Sequence, residues 1–127
     1  MSDQYKPQFE VSVQRSNTTA IVRLAGELDL ATAPELTDVL HGLEPACERI
    51  ILDVTGLEFI DSTGLRLAVV EHDRSAVDGF EFVIAGAAGP VLRVLRLTGL
   101  DVTLPLAPDV ASVLGDASSN GKVHEIP

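Results

Sequence analysis

Cysteine, tryptophan and positive charge are scarce in this sequence of 127 residues. Cys47 is the only cysteine, so an internal disulfide is excluded. Aromatic residues make up 4% of the chain and hydrophobic residues 46%, so the core must be built from Val, Leu, Ile and Ala. The net charge of −10 disfavours direct binding to nucleic acids or anionic membranes, because both present negative phosphates.

Long apolar runs are also missing. The longest uncharged stretch, residues 82–92, contains two glycines and Pro90, and it is shorter than the roughly 20 residues that cross a bilayer. The opening residues MSDQYKPQFE are polar and do not resemble a signal peptide. We therefore expect one cytoplasmic domain, because a chain of this length suits a single compact unit.

Apolar residues first appear in patterns that are typical of strands. Residues 9–13 alternate between apolar and polar, and residues 20–24 follow after a short polar gap, which predicts a β-hairpin. Continuous apolar runs at 50–54 and 80–84 predict strands that are covered on both faces. We expect Gly56 to end the first of these buried strands.

Apolar residues spaced three and four apart predict the helices. The first helix is expected to begin at Thr32, whose side chain would cap it in a capping box with Glu35, and to end before Pro45. Its apolar face comprises Leu36, Val39, Leu40 and Leu43. On the second helix, the expected apolar face comprises Leu65, Ala68, Val69, His72 and Ala76. The second helix is predicted to end near Gly79. A third helix is predicted to end at Gly99, and a last helix to cover residues 107–114.

Residues 102–104 predict a short edge strand that Pro105 limits. The order of elements predicts an α/β fold with a mixed β-sheet, in which an N-terminal hairpin precedes parallel strands, packed with about four helices. We assign the domain to residues 9–115 and expect residues 1–8 and 116–127 to be flexible termini. Binding sites in such sheets gather at the carboxyl ends of strands.

Two loops should lie at that end of the sheet: a turn at residues 26–29, leading on to Ala31, and a loop at residues 55–63. The second contains Ser62 and Thr63 immediately before a helical pattern. The position of Ser62 taken alone favours a helix cap, in which its hydroxyl accepts a backbone N–H, but a cap does not exclude modification of the same hydroxyl. A phosphate is tolerated at a helix N-terminus and adds about −1.5 to −2 charges, so its effect would be local.

Four sequence elements follow one another along the chain: GELD at residues 26–29, Asp53 in a predicted buried strand, FIDSTGL at residues 59–65, and LTGL at residues 97–100. The series resembles the STAS domain and, within it, the bacterial anti-sigma factor antagonists. The resemblance spans nearly the whole predicted domain. It implies a single STAS-like domain that binds an anti-sigma factor with serine kinase activity and so releases a sigma factor. It also implies that the kinase phosphorylates Ser62, which ends binding, and that a PP2C-type phosphatase restores it.

The resemblance further implies a docking surface, formed by the loop that holds Asp29 and by the start of the second helix. The expected partner-binding residues are Asp29, Asp61, Ser62, Thr63, Gly64, Leu65 and Arg66. Arg66 departs from the glycine expected at that position in many relatives, which affects partner choice. Asp29 is equally a candidate cap for the first helix, and Thr63 is a rival phosphoacceptor or a packing residue. We expect a monomer when the protein is free.

Enzyme chemistry, cofactors and metals are not predicted. Ser62 lacks a G-x-S-x-G elbow because Ile60 occupies the first glycine position, and His72 lies more than two helical turns further on. The other histidines, His41 and His124, are scattered, so no metal cluster is expected. Two alternatives stay open: a non-phosphorylated scaffold of a stress-signalling complex, and a module that binds a nucleotide or lipid at the strand ends. Residues 86–89 are interpreted as a tight turn.

Overall fold

The computed structural model describes residues 7–115, and the expected flexible termini lie outside the described residues except for positions 7 and 8. A five-stranded sheet has its strands in chain order, with β1 and β2 antiparallel and all later neighbours parallel. The elements are β1 (Phe9–Ser16), β2 (Thr19–Leu28), α1 (Ala33–Leu43), a 3-10 turn (Glu44–Ala46), β3 (Arg49–Ile60), α2 (Ser62–Asp78), β4 (Glu81–Ala85), α3 (Gly89–Leu97), α4 (Leu100–Thr103), β5 (Leu106–Ala107) and α5 (110–115). The predicted mixed α/β fold is confirmed, with five helices instead of about four.

The main core lies on one face of the sheet. Helices α1, α2 and α3 cover this face, and fully buried aliphatic side chains such as Leu36, Leu40 and Ile50 fill the space between the layers. The predicted apolar face of α1 is confirmed, with Val39 half-buried beside its buried neighbours. A smaller cluster on the opposite face joins Ile51 to α5. The sheet therefore has helices on both faces, but the larger helical layer is on the side of α1 and α2.

Strand β3 is longer than predicted, and the expected break at Gly56 is wrong. The register between β2 and β3 shifts twice, and each shift gives β3 one extra residue relative to β2. A bulge of this kind bends a strand without ending it. The buried positions of β3 consequently follow the irregular series Leu52, Val54, Leu57 and Ile60. The strand thus continues to Ile60, and the loop predicted over residues 55–63 is reduced to Asp61.

The predicted turn at residues 26–29 is also shorter, because β2 continues to Leu28. Gly26 remains special, since its φ of 95° is left-handed and an added Cβ would lie 2.1 Å from the backbone oxygen of Gln8. That same oxygen accepts a hydrogen bond from the N–H of Glu27 at 2.8 Å. The residue before β1 is therefore tied to the end of β2.

The face of α2 that meets the core is rotated from the predicted one. Its buried residues are Gly64, Ala68, Glu71 and Ser75, whereas Ala76 is exposed. The buried face of α2 could not be recognised from apolar residues alone, because a serine and a glutamate occupy core-facing positions. The predicted end at Gly79 is confirmed, because Gly79 caps α2 in the left-handed conformation with φ 83°.

The chain after α3 differs from the prediction. Helix α4 occupies the place of the strand expected at residues 102–104, and β5 begins after Pro105 instead of ending there. The last helix starts at residue 110, because Ala107 pairs with Ala85 in the sheet. Gly99 follows α3 with φ 77°, as expected for a helix stop. Within residues 7–115, no helix has the length and apolar character needed to cross a membrane.

Candidate functional site

Two neighbouring strand ends bring the predicted loops together. Leu28 at the end of β2 pairs with Ile60 at the end of β3. The N–H of Asp61 donates to the carbonyl of Leu28 at 3.1 Å, and the N–H of Leu30 donates to Asp61 Oδ2 at 3.3 Å. The predicted juxtaposition of the Asp29 loop and the Ser62 junction is therefore confirmed.

The cap of helix α2 is Asp61, so the candidate role of Ser62 as N-cap is wrong. Asp61 has extended backbone dihedrals, and its Oδ1 accepts hydrogen bonds from the N–H groups of Thr63 at 2.9 Å and Gly64 at 3.1 Å. Two of the N–H groups that a helix leaves unpaired at its start are thereby satisfied. The carboxylate also complements the positive end of the helix dipole.

Ser62 is the first residue of α2, and its side chain is exposed. Within residues 7–115 its hydroxyl makes no hydrogen bond, because Asp61 already provides the cap. A hydroxyl in this position is accessible to another protein and is not needed to hold the helix. The N-terminal end of the 17-residue helix also favours negative charge at this residue.

The residues that follow Ser62 are buried to very different extents. Thr63 is half-buried, Leu65 packs against the core, and Arg66 is exposed. Gly64 is buried, and an added Cβ would lie 2.7 Å from Ile60 Cγ1 and 2.9 Å from Leu28 Cγ. The structure thus places Ser62 and Arg66 on the surface and Gly64 against the core.

The loop that holds Asp29 is stabilised from within. Asp29 Oδ1 accepts hydrogen bonds from the N–H groups of Ala31 at 3.0 Å and Thr32 at 3.1 Å. The Thr32 hydroxyl donates to the carbonyl of Glu27 at 2.9 Å and makes no cap bond with α1, so the capping box predicted with Glu35 is wrong. Asp29 therefore has a structural role in its own loop, whereas the partner contact stays a prediction.

Two exposed apolar residues beside Ser62 were missed by the sequence reading. Leu30 is 74% exposed and Phe59 is 47% exposed. Phe59 was predicted to lie in the loop over residues 55–63, but strand β3 continues to Ile60, and its second bulge turns Leu57 and Ile60 inward and leaves Phe59 outside. Exposed apolar side chains mark protein contacts where they form a contiguous patch.

A shallow groove runs between α1 and α2 next to these residues. Its volume is about 220 Å³, and Thr63 and Arg66 line it together with Thr37 of α1. Val70 lies further along the groove and is 46% exposed. The exposed surface at the end of the sheet therefore continues along both helices.

A second cluster of polar side chains lies at the far end of the same groove. His41 near the end of α1, Glu44 in the 3-10 turn and Glu71 of α2 place one ligand atom each within 4.8 Å of one another. The sequence reading treated the histidines as scattered and missed this group. The available signal was the three-residue spacing of His41 and Glu44, but nothing in the sequence pairs them with Glu71.

The carboxyl groups of this cluster have shifted pKa values. Burial and, after it, the neighbouring Glu44 carboxylate together raise the pKa of Glu71 to about 8 against the opposing charge of Arg74. Burial opposes ionisation of Glu44 as well, but the hydrogen bonds and charge of Arg74 outweigh it and lower the pKa of Glu44. At neutral pH, Glu44 is therefore ionised and Glu71 holds a proton.

His72 lies away from Ser62. Ten residues of helix separate them, which is about 15 Å along the helix axis. The ring of His72 is half-buried, and its Nδ1 has no hydrogen-bond partner among the residues that the structure describes. The pair is not arranged as a nucleophile and its general base, because such groups must lie within hydrogen-bonding distance.

Comparison with known proteins gives a consistent result. The family model described as the STAS domain matches residues 10–113. An anti-sigma F factor antagonist of Paenibacillus polymyxa is 27% identical over 84% of this chain and 92% of its own length. An anti-sigma-B factor antagonist of Staphylococcus aureus is 34% identical over 62% of this chain and 74% of its own length. The crystal structure of an anti-sigma factor antagonist from Mycobacterium paratuberculosis has a TM-score of 0.76 at 27% identity, covering 85% of this chain and 92% of that one.

Proposed function

The chain belongs to the STAS domain family, and we propose that it is an anti-sigma factor antagonist that phosphorylation of Ser62 switches off. The observation that carries the proposal is the position of Ser62, exposed as the first residue of α2 at the end of the sheet where Leu30 and Phe59 are also exposed. The antagonists that this chain is similar to have the same fold. In its unmodified form, the protein would bind an anti-sigma factor and thereby release a sigma factor.

The docking surface in this proposal combines apolar anchors with a small polar centre. Leu30 and Phe59 supply buried area on binding, and Ser62 lies beside them at the start of α2. Asp29 and Arg66 provide charges of opposite sign at the edge, where charge mainly decides which partner is accepted. The long side chain of Arg66 therefore favours a partner with an acidic residue opposite the groove.

The switch follows from the chemistry of the helix start. The kinase transfers the γ-phosphoryl group of ATP to Ser62 Oγ, the hydroxyl proton leaves, and ADP is released. The dianion is compatible with the fold, because it lies at the positive end of α2 and its serine oxygen is not needed as a cap. Its charge adds to that of Asp61 next to it, and its bulk separates the apolar anchors from the partner.

A reconstituted reaction tests the proposal. The protein is incubated with its cognate anti-sigma factor, ATP and Mg²⁺, and the phosphorylated position is located by mass spectrometry. We expect one phosphate on Ser62 and none on the Ser62→Ala variant, whereas Thr63→Val is labelled like the wild type. A phosphate at Thr63, or unchanged labelling of Ser62→Ala, contradicts the assignment of the switch.

Binding is measured separately from phosphorylation. The unmodified protein and Ser62→Ala should bind the anti-sigma factor, and Ser62→Asp should bind more weakly by at least about tenfold, a difference of about 1.4 kcal/mol. Phe59→Ser should weaken binding without affecting folding, since this side chain is half-exposed. Binding without any labelling would instead identify a non-phosphorylated scaffold. A PP2C-type phosphatase that removes the phosphate should restore binding.

A further inference from the structure

We propose that His41, Glu44 and Glu71 form a binding site for a divalent transition-metal ion of the Zn²⁺ type. The three side chains come from α1, from the 3-10 turn that follows it and from the middle of α2. A bound ion would join the end of α1 to α2, at the opposite end of the groove from Ser62. The site is separate from the proposed docking surface and from the phosphorylation switch.

The buried end of Glu71 is an independent indication of a missing ligand. The residue is only 3% exposed, and its Oε2 has no hydrogen-bond partner among the described residues. An unpaired carboxylate oxygen is costly in such a position, because burial removes the water that would solvate it. One carboxylate oxygen of Glu71 lies within 4.8 Å of the ligand atoms of His41 and Glu44. Either a proton or a cation must neutralise the charge of the buried Glu71 carboxylate.

The ligand set favours zinc over magnesium or calcium. Imidazole and carboxylate groups are both ligands of Zn²⁺, whereas Mg²⁺ and Ca²⁺ prefer oxygen ligands alone. Ligands in a tetrahedral zinc site lie about 3.3 Å apart, for metal–ligand distances of about 2.0 Å. The present spacing of up to 4.8 Å therefore requires a small inward movement. His41 is exposed and can supply most of that movement by rotating its ring.

Arg74 serves as a positioning residue in this site. Its guanidinium donates to both oxygens of Glu44, at 3.2 Å from Nε and 2.5 Å from Nη2. Each carboxylate oxygen keeps a second lone pair, so Glu44 can bind a metal while Arg74 fixes its orientation. Arg74 Nε also lies 3.9 Å from Glu71 Oε1. Arg74 therefore contacts both carboxylates of the cluster.

The charges around the cluster favour an added cation. The single positive charge of Arg74 is shared between Glu44, Glu71 and the nearby Asp78. A metal ion would balance the charge of the second carboxylate in a protein with a net charge of −10.

Calorimetric titration of the full chain with Zn²⁺ tests the site. The protein is first treated with EDTA and exchanged into metal-free buffer at pH 7. We expect one saturable site that binds one Zn²⁺ per chain. Mg²⁺ at the same concentration should not compete. Absence of saturable Zn²⁺ binding would overturn the proposal.

Three variants locate the binding. His41→Asn and Glu71→Gln should each weaken Zn²⁺ affinity at least tenfold. His72→Asn serves as the matched control on α2 and should bind like the wild type, because His72 is not part of the cluster. Equal affinity in the wild type and His41→Asn would overturn the site, and this variant remains informative if Glu71→Gln fails to fold, since His41 is exposed.

Discussion

Asp61 is hydrogen-bonded to Leu30, and its two carboxylate oxygens contact two different parts of the chain. Oδ1 accepts the N–H groups at the start of α2, while Oδ2 accepts the N–H of Leu30 at 3.3 Å. One side chain thus fixes both the helix that presents Ser62 and the loop that presents an apolar anchor. The aspartate in the motif has a structural role in addition to its charge.

Removing the Asp61 carboxylate should destabilise the domain. We expect Asp61→Ala to lower the free energy of unfolding by about 1–2 kcal/mol, because the cap of α2 is lost. Asp61→Asn should cost less, since its amide oxygen still caps the helix while its NH₂ group cannot accept from Leu30. Urea unfolding measures both. Asp73→Ala is the control, because Asp73 is exposed in the interior of α2, and it should change stability by less than about 0.5 kcal/mol.

Changing Ser62 should alter binding without weakening the fold. Ser62→Ala should stay within about 0.5 kcal/mol of the wild type, since the hydroxyl is exposed and is not the cap. Ser62→Asp should be neutral or stabilising by about 0.3–1 kcal/mol, because a negative charge complements the helix N-terminus. Thermal unfolding at low salt measures the effect. Ala76→Asp, in the last turn of α2, should destabilise instead, and loss of stability in Ser62→Asp would contradict the local mechanism of the switch.

The close approach of α2 to the sheet depends on Gly64. A Cβ at this position would lie within 3.0 Å of Ile60 and Leu28 atoms, so Gly64→Ala should cost about 1–3 kcal/mol through overpacking. The matched control is Gly42→Ala on α1, where an added Cβ meets nothing within 4 Å. That variant should be stabilising by about 0.5–1 kcal/mol, because alanine favours a helix. Equal effects of the two substitutions in urea unfolding would contradict the packing role of Gly64.

Regular periodicity made most of the fold predictable. The hairpin, the alternation of strands and helices and the helix stops at Gly79 and Gly99 all follow from local patterns that the structure retains. The length of strand β3 was not predictable in this way, because its bulges are defined by pairing with β2 and only Gly56 indicates them in the sequence. The prediction of a strand at residues 102–104 was wrong because a four-residue helix and a two-residue strand are too short to show a recognisable hydrophobic period.

The candidate site was predicted in its position but not in its detail. The motif located the junction at Ser62, whereas the cap on Asp61 depends on an extended backbone at one residue, which composition does not reveal. Phe59 was missed because a bulge reverses which face of a strand a residue occupies. The partners of Glu71 were missed because they lie about 30 residues away in the chain and meet it only through the packing of α1 on α2.

The buried proton on Glu71 should make stability depend on pH. Its pKa is about 8 in the folded protein and near 4.5 in the unfolded chain. Below pH 4.5 both states hold the proton. Between pH 4.5 and 8 only the folded state holds it, so the free energy of unfolding should fall by as much as about 1.4 kcal/mol per pH unit, and above pH 8 this fall should stop.

Comparison with Glu71→Gln isolates this effect, since the amide keeps the shape of the protonated acid but cannot ionise. In EDTA, the stability of the variant relative to the wild type should rise steadily from pH 5 to pH 8 and then level off. Urea unfolding at closely spaced pH values measures the difference. His41, Arg74 and Asp78 are present in both proteins, and Glu44 stays ionised throughout because its pKa is lowered, so their contributions largely cancel. A difference that does not change with pH would show that Glu71 ionises normally in the folded state.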